Sequence, residues 1–360
     1  MRFGTALTVT VFGSSHGPEV GTVVTGLPAG VPIDLEETQR ELDRRSPVGR
    51  ALATRRQEAD RLVVDEGIAS GATTGGPIRA HVANQDVQRG PYDRLRDTPR
   101  PGHADFPARI RYGDSADLSG GGIFSGRMTV GLVVAGSLAR QLLRPRGIDF
   151  VAFTRSVASI DADVPVAVPL DRIRSASAEN EVGCPDAAAA TRMAEAIAEA
   201  RRSGDSVGGV IECRGTGLPV GLGEPFFDSV ESEVAHLAFS IPAVKGLEFG
   251  SGFRAARMRG SEHNDPYRWA DDRVVPQSNH AGGILGGLAT GAPLVFRAAV
   301  KPTSSIARPQ RTVDLRKKTD VEIVVTGRHD PCIVPRAVVV VESIAAIAVA
   351  DLALRGGFLT

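Results

Sequence analysis

The longest apolar stretch of the chain, Ala337 to Leu354, is interrupted only by Glu342 and Asp351. Those two charges leave an uncharged interior too short to cross a bilayer, so the stretch reads as a buried helix. At 360 residues the chain can bury a large core, as one big domain or as two intimately packed halves. A repeated turn bears on that choice. Gly71-Ala-Thr-Thr74-Gly75-Gly-Pro77 leads into the strand-like run Ile78 to Val82, and Gly287-Leu-Ala-Thr290-Gly291-Ala-Pro293 leads into Leu294 to Val300. Both copies read GxxTGxP and then a strand. Such turns recur in unrelated folds, so chance and internal duplication both stand; the separation, far beyond a solenoid period, suits a duplicated half better than a repeat array.

Local signals place further elements. Alternating runs at Thr5 to Phe12 and Val20 to Thr25 predict two strands flanking a glycine-rich loop. Asp34 followed by Glu37 has the form of a capping box ahead of Leu35 to Arg45, and Asp228 with Glu231 repeats it ahead of Val230 to Phe239. Ser125 is placed to cap a helix from Arg127 to about Leu143, and the alanine-rich segment Ala187 to Arg202 should stop at Gly204. No linker or low-complexity stretch divides the chain.

The 42 basic and 42 acidic residues cancel, so no global field draws the protein to nucleic acid or to an anionic membrane, and any basic site must be local. Nearly all the basic residues are arginine, which a GC-rich genome explains; the same planar forks also suit phosphate and carboxylate. Cys184, Cys213 and Cys332 lack CxxC spacing, which argues against a zinc site or a disulfide framework and fits a reducing compartment. With no export signal at the start of the sequence, a cytoplasmic protein is expected. The seven histidines show no HExxH or paired-carboxylate spacing, so metal catalysis is not expected, and there is no Walker A loop and no GxGxxG after a strand.

Five loops carry candidate chemistry. Gly13-Ser14-Ser15-His16-Gly17 sets an imidazole in a glycine-flanked turn, a position for moving protons near neutral pH or simply for capping the turn. Arg100-Pro101-Gly102-His103-Ala104-Asp105 stiffens a second histidine beside a carboxylate that could hold its ring or lie opposite. Arg328-His329-Asp330-Pro331-Cys332 precedes the terminal helix, where anions bind, although a solvated cap would look the same. Gly120-Gly121-Gly122 before Ser125 and Arg127 resembles a phosphate cradle, and Lys301-Pro302-Thr303-Ser304-Ser305 offers an ammonium and three hydroxyls, or an ordinary polar turn. Together these loops imply an enzyme for a polyanionic substrate, with His and Asp as proton carriers.

In their order along the chain, the motifs resemble the chorismate synthase family: GSSHG at Gly13 to Gly17, RPGHAD at Arg100 to Asp105, GDSVGG at Gly204 to Gly209 and GLGEP at Gly221 to Pro225. SIPAVKG at Ser240 to Gly246, QSNHAGGILGG at Gln277 to Gly287, KPTSS at Lys301 to Ser305 and GRHDPC at Gly327 to Cys332 continue the match. The resemblance implies an α+β fold over residues 1–360, one domain with helices layered between antiparallel sheets and an internal duplication. It implies a lyase that eliminates phosphate from 5-enolpyruvylshikimate-3-phosphate by anti-1,4 geometry to give chorismate, the last common step of the shikimate pathway in aromatic amino acid biosynthesis. Reduced FMN is required there without net redox change, NADPH serves only members that reduce their own flavin, and a homotetramer is usual.

Carried over by motif, His16, His103 and Asp330 are the catalytic candidates, and Arg44, Arg45, Arg50, Arg100, Arg127 and Arg328 would clamp the substrate's phosphate and carboxylates. Flavin contacts would fall on Ile123, Phe124, Ser125, Pro242, Ala243, Gly286, Lys301, Pro302, Thr303, Ser304, Ser305 and Arg328. Three positions depart from the usual family pattern: Ser14 replaces Glu, Ile123-Phe124 replaces Arg-Ser, and Pro242 replaces Asn. Two rival readings follow, a silent relative that binds ligand without turnover and an arginine-rich nucleic-acid binder. Retention of His16, His103 and Asp330 opposes the first; zero net charge and few aromatic residues oppose the second.

Overall fold

The structure, a computed structural model, describes residues 1–48, 52, 59–85, 97–113, 119–325 and 329–359. The first part of the chain runs β1 (Arg2–Phe3), β2 (Thr8–Gly13), β3 (Glu19–Thr25), α1 (Leu35–Arg45), β4 (Val63–Glu66), the hairpin β5 (Ile68–Ala69) and β6 (Ala72–Thr73), and β7 (Ile78–Ala83). Helices α2 (Asp105–Tyr112) and α3 (Thr129–Leu143) close it. The second part opens with β8 (Asp149–Val157), β9 (Ile160–Asp161), α4 (Leu170–Ala178), α5 (Ala187–Arg202), β10 (Gly209–Thr216), α6 (Val230–Ala238) and β11 (Val244–Phe249). It continues with α7 (Gly260–His263) and the pairs β12 (Tyr267–Ala270) with β13 (Arg273–Pro276) and β14 (Ile284–Leu285) with β15 (Leu288–Ala289). Strand β16 (Leu294–Val300), the pair β17 (Gln310–Asp314) and β18 (Thr319–Ile323), and α8 (Val334–Arg355) complete it.

Two five-stranded antiparallel sheets result, ordered β1-β2-β3-β7-β4 and β11-β16-β10-β8-β9. Helix α3 packs on the first sheet, α8 on the second, and the two helices pack on each other, with α1 and α6 alongside. The fold is thus α+β, a helical layer between two sheets. At the crossing a Cβ on Gly136 would lie 2.5 Å from Ser343 Cα, so glycine permits the approach of α3 to α8.

The echoed turns occupy matching places. Thr74 N donates to Gly67 O at 3.0 Å and Thr290 N to Gly283 O at 2.9 Å, each after a small hairpin and before a central strand. The structure also exposes a second echo: Thr25-Gly-Leu-Pro-Ala-Gly30 leaves β3 and Thr216-Gly-Leu-Pro-Val-Gly221 leaves β10. Gly30 N donates to Thr73 O and Gly221 N to Ala289 O, so both turns dock on the same strand of their hairpins. Strand, turn, capped helix, strand, hairpin, strand and long helix therefore follow one another twice.

Capping partly followed the local signals. Asp34 accepts from Glu36 N and Glu37 N, but the Glu37 carboxylate reaches Arg144 rather than closing a box. At α6 the cap moves one residue, to Ser229, whose Oγ accepts from Ser232 N, and Asp228 faces Arg355 instead. Ser125 accepts from Arg127 N and starts a 3-10 turn that runs into α3; α5 spans Ala187–Arg202, as expected.

Helix α8 is long and apolar enough to cross a membrane by composition, yet 94% of its apolar window is buried inside the fold. Its two acidic residues explain themselves by their partners. Glu342 Oε2 accepts from Ala152 N at 2.9 Å and its carboxylate binds Arg44 and Arg140, while Asp351 Oδ1 accepts from Thr5 N, Ala6 N and Leu7 N at 3.1, 2.7 and 2.8 Å.

Candidate active site

Loops from both parts of the chain enclose a cavity of about 1000 Å³. Its lining includes His16, Arg45, Arg100, His103, Ile123, Phe124, Ser125 and Arg127 from the first part, and Pro242, Ala243, Lys301, Thr303, Ser304, Ser305 and Asp330 from the second.

The glycine triplet works differently from a phosphate cradle. Gly120, Gly121 and Gly122 have φ of 59°, 96° and 52°, and a Cβ on Gly120 would sit 1.9 Å from His16 Cε1. Gly120 therefore seats the His16 imidazole by lacking a side chain, while a Cβ on Gly121 would meet His103 Nε2 at 3.4 Å, an ordinary contact. His16 is buried, with Ser15 Oγ 3.1 Å from its Nδ1.

His103 Nδ1 lies 2.5 Å from Asp105 Oδ1, so the carboxylate holds the ring rather than lying opposite. It favours the proton on Nδ1, and Arg100 Nη2 lies 3.3 Å from Nε2. Arg100 grips the same carboxylate in a fork, Nε to Oδ2 at 2.7 Å and Nη2 to Oδ1 at 2.8 Å. Burial alone would raise the Asp105 carboxyl; the Arg100 and His103 hydrogen bonds outweigh it and hold the group well below the usual carboxylate range.

The Lys301 to Ser305 loop is tied into both sides. Lys301 Nζ donates to Gly102 O at 2.9 Å, Arg100 Nη1 to Ser305 Oγ at 3.2 Å, and Thr303 Oγ1 to Asp330 O at 2.9 Å. Burial and then the neighbouring Lys245 push the Lys301 ammonium pKa down.

Behind the cavity lining, a set of hydrogen bonds runs from the His16 loop toward Asp330. Asn84 Nδ2 donates to Ser14 O and Gly17 O around His16, and Asn84 Oδ1 accepts from Arg127 Nε at 2.9 Å. Arg127 and Arg45 both bind Asp60; Arg45 O accepts from Arg336 Nε at 3.0 Å, and Arg336 Nη1 donates to Asp330 Oδ2 at 2.5 Å. Asn84, Asp60 and Arg336 stand in stretches without any motif, and only the folded chain brings them here.

The family model for chorismate synthase matches residues 7–354. The chain belongs to the chorismate synthase family. It is 49% identical to the chorismate synthase of Korarchaeum cryptofilum over 98% of this chain and 97% of that one. A relative of the same name from Dehalococcoides mccartyi is 47% identical over 99% and 97%, and one from Thermococcus kodakarensis 47% over 98% and 97%. A solved structure described as a crystal structure of chorismate synthase superposes with a TM-score of 0.79 at 27% identity, covering 98% of this chain and 93% of the other. As a chorismate synthase family member the chain is an enzyme of the lyase class.

The residues carried over from the chorismate synthase motifs meet unevenly. His16, His103, Asp330, Arg45, Arg100 and Arg127 line the cavity, as do Ile123, Phe124, Ser125, Pro242, Ala243, Lys301, Thr303, Ser304 and Ser305. Pro302 spaces that last loop without lining the cavity. Arg44 does not line it either: its guanidinium turns to Glu41 and Glu342 in the core. Gly286 sits on the β14–β15 turn, outside the lining. Arg50 and Arg328 lie outside the described residues.

Proposed function

We propose that this protein converts 5-enolpyruvylshikimate-3-phosphate to chorismate by anti-1,4-elimination of phosphate, with reduced FMN as cofactor. The carrying observation is the cavity itself, in which two carboxylate- or loop-held histidines and three buried arginines meet an ammonium and hydroxyl loop. Ligand pockets commonly span about 300–1000 Å³, so this one sits at the roomy end and suits a flavin and a small substrate together.

The residues fit that pair by chemistry. Ile123, Phe124, Met128 and Leu132 give an apolar wall for a planar ring, and Lys301 with Ser304 and Ser305 gives donors for a cofactor phosphate. The chemistry reduced flavin supplies when bound is a transient loan of electron density. Arg45, Arg100 and Arg127 hold the substrate's phosphate and carboxylates by charge-assisted bonds and fix its ring. His103, its Nδ1 held by Asp105, exchanges a proton at Nε2 with the departing phosphate. His16, packed against Gly120, would protonate or hold the reduced cofactor, and Asp330, oriented by Arg336, would assist removal of the substrate's proton. Ile123, where the family commonly has Arg, removes one cationic contact and leaves the cofactor's anion to Lys301 and its hydroxyl neighbours.

The same reading places the protein in the cytoplasm, in aromatic amino acid biosynthesis, as a homotetramer. An anaerobic assay following chorismate, run with pre-reduced FMN and again with oxidised FMN plus NADPH, tests it. Product in the first arm is expected; product in the second adds self-reduction of flavin. Flavin binding without product in either arm would replace this reading with that of a silent relative.

A further inference from the structure

The buried carboxylate behind Arg45 and Arg127 has no part in the chemistry above. Asp60 is 1% exposed and does not line the cavity, whereas both arginines do. Its Oδ2 accepts from Arg45 Nη2 at 2.5 Å and its Oδ1 from Arg127 Nη1. Burial would raise the Asp60 carboxyl, but the two guanidiniums outweigh it and keep the pKa below the ordinary value, so the group remains an anion at neutral pH. Each oxygen takes one arginine, which sets the distance between the two cations. Among these three groups the net charge is one positive, where the arginines alone would present two.

We propose that Asp60 is a positioning residue that fixes the spacing of Arg45 and Arg127 and moderates their hold on anions, so that the cavity orients a phosphorylated substrate yet lets free phosphate leave. The proposal rests on the elimination reaction above. A cation pair relieved of its internal carboxylate attracts small anions more strongly and less selectively, because the attraction in a partly desolvated site scales with charge.

The test measures kcat, KM and competitive inhibition by inorganic phosphate in the anaerobic assay with reduced FMN, for wild type, Asp60→Asn and Asp60→Glu, with circular dichroism confirming the fold. In Asp60→Asn, kcat should fall about tenfold, and phosphate should inhibit about tenfold more tightly, since one full charge is removed beside the pair. Asp60→Glu should keep phosphate inhibition near wild type. If Asp60→Asn does not fold, Arg127→Gln is compared with Arg127→Gln combined with Asp60→Asn; the added change should again tighten phosphate inhibition. Phosphate inhibition that stays the same or weakens in folded protein overturns the role of Asp60 alone. A wild type that makes no chorismate overturns the reaction and this inference together.

Discussion

Helix α1 ends in two arginines, Arg44 and Arg45, that join two clusters of the same chemistry with different fates. Arg44 enters the core cluster, where Glu342 takes its Nη1 and Nη2 at 3.1 and 3.3 Å, Arg140 at 2.5 Å and the Ala152 N–H. Arg45 enters the cavity cluster around Asp60 with Arg127. In the first cluster the buried Glu342 carboxylate ties together α1, α3, β8 and α8. At the cavity the arginines rest on one carboxylate and still border open space. Neighbouring residues of one type thus divide between the Glu342 cluster and the cavity wall according to the face of α1 they occupy.

Breaking the cavity side should cost rate and spare stability. His103→Ala is expected to lower turnover about 10²–10⁴-fold, the usual contribution of a general acid–base group, with an unchanged melting temperature. Chorismate formation at the wild-type rate would remove His103 from the chemistry.

Breaking the core side should do the reverse. Glu342→Gln leaves Arg44 and Arg140 without their shared charge and should destabilise by about 3–5 kcal/mol at neutral pH, read by urea unfolding. The Glu342 carboxyl is lowered to about 2, its burial being outweighed by Arg44 and then Arg140. A lowered carboxyl stabilises above its unfolded value, so the contribution is complete above an ordinary pKa of 4.5 and is lost as pH falls toward 2. The gap between wild type and variant should therefore close across that window. A gap independent of pH would mean that Glu342 acts by packing.

Arg45→Lys should have a smaller effect, weakening substrate binding about tenfold, because an ammonium cannot serve Asp60 and a ligand oxygen with the same planar fork. Calorimetry with oxidised FMN present measures it, and an unchanged dissociation constant would put Arg45 with Arg44 on the structural side. The smallest effect belongs to Cys332→Ser, beside the site but in neither cluster. Burial pushes that thiol up to about 12, so it is no nucleophile; activity should persist, with a stability loss of about 1 kcal/mol from the buried hydroxyl. Loss of turnover in folded protein would give Cys332 a role it lacks here.

What could be read from the sequence were features whose partners lie within a few residues: the Asp34 and Ser125 caps, the end of α5, the burial of α8 and the loop histidines. Features decided by distant partners could not. Glu37 left its capping box for Arg144, and Arg44 differed from Arg45 only through Glu342 and Asp60, remote in sequence and close in space. The glycine triplet was legible as unusual backbone, but the need for Gly120 depends on the His16 ring brought in by another loop. The Thr-Gly-Leu-Pro-x-Gly echo was present in the sequence all along; its meaning emerges only when both turns are seen docked on their hairpins.

The Asp351 carboxylate, accepting three N–H groups from Thr5 to Leu7, joins segments about 345 residues apart in sequence. During synthesis at roughly 5–20 residues per second, the start of the chain would wait on the order of tens of seconds for that partner. The segment leading into β2 must therefore leave the ribosome with its amides still hydrated, and it is secured only once Asp351 has been made and has emerged. A stop codon just before Asp351 would release a chain in which the segment between β1 and β2 has lost that anchor.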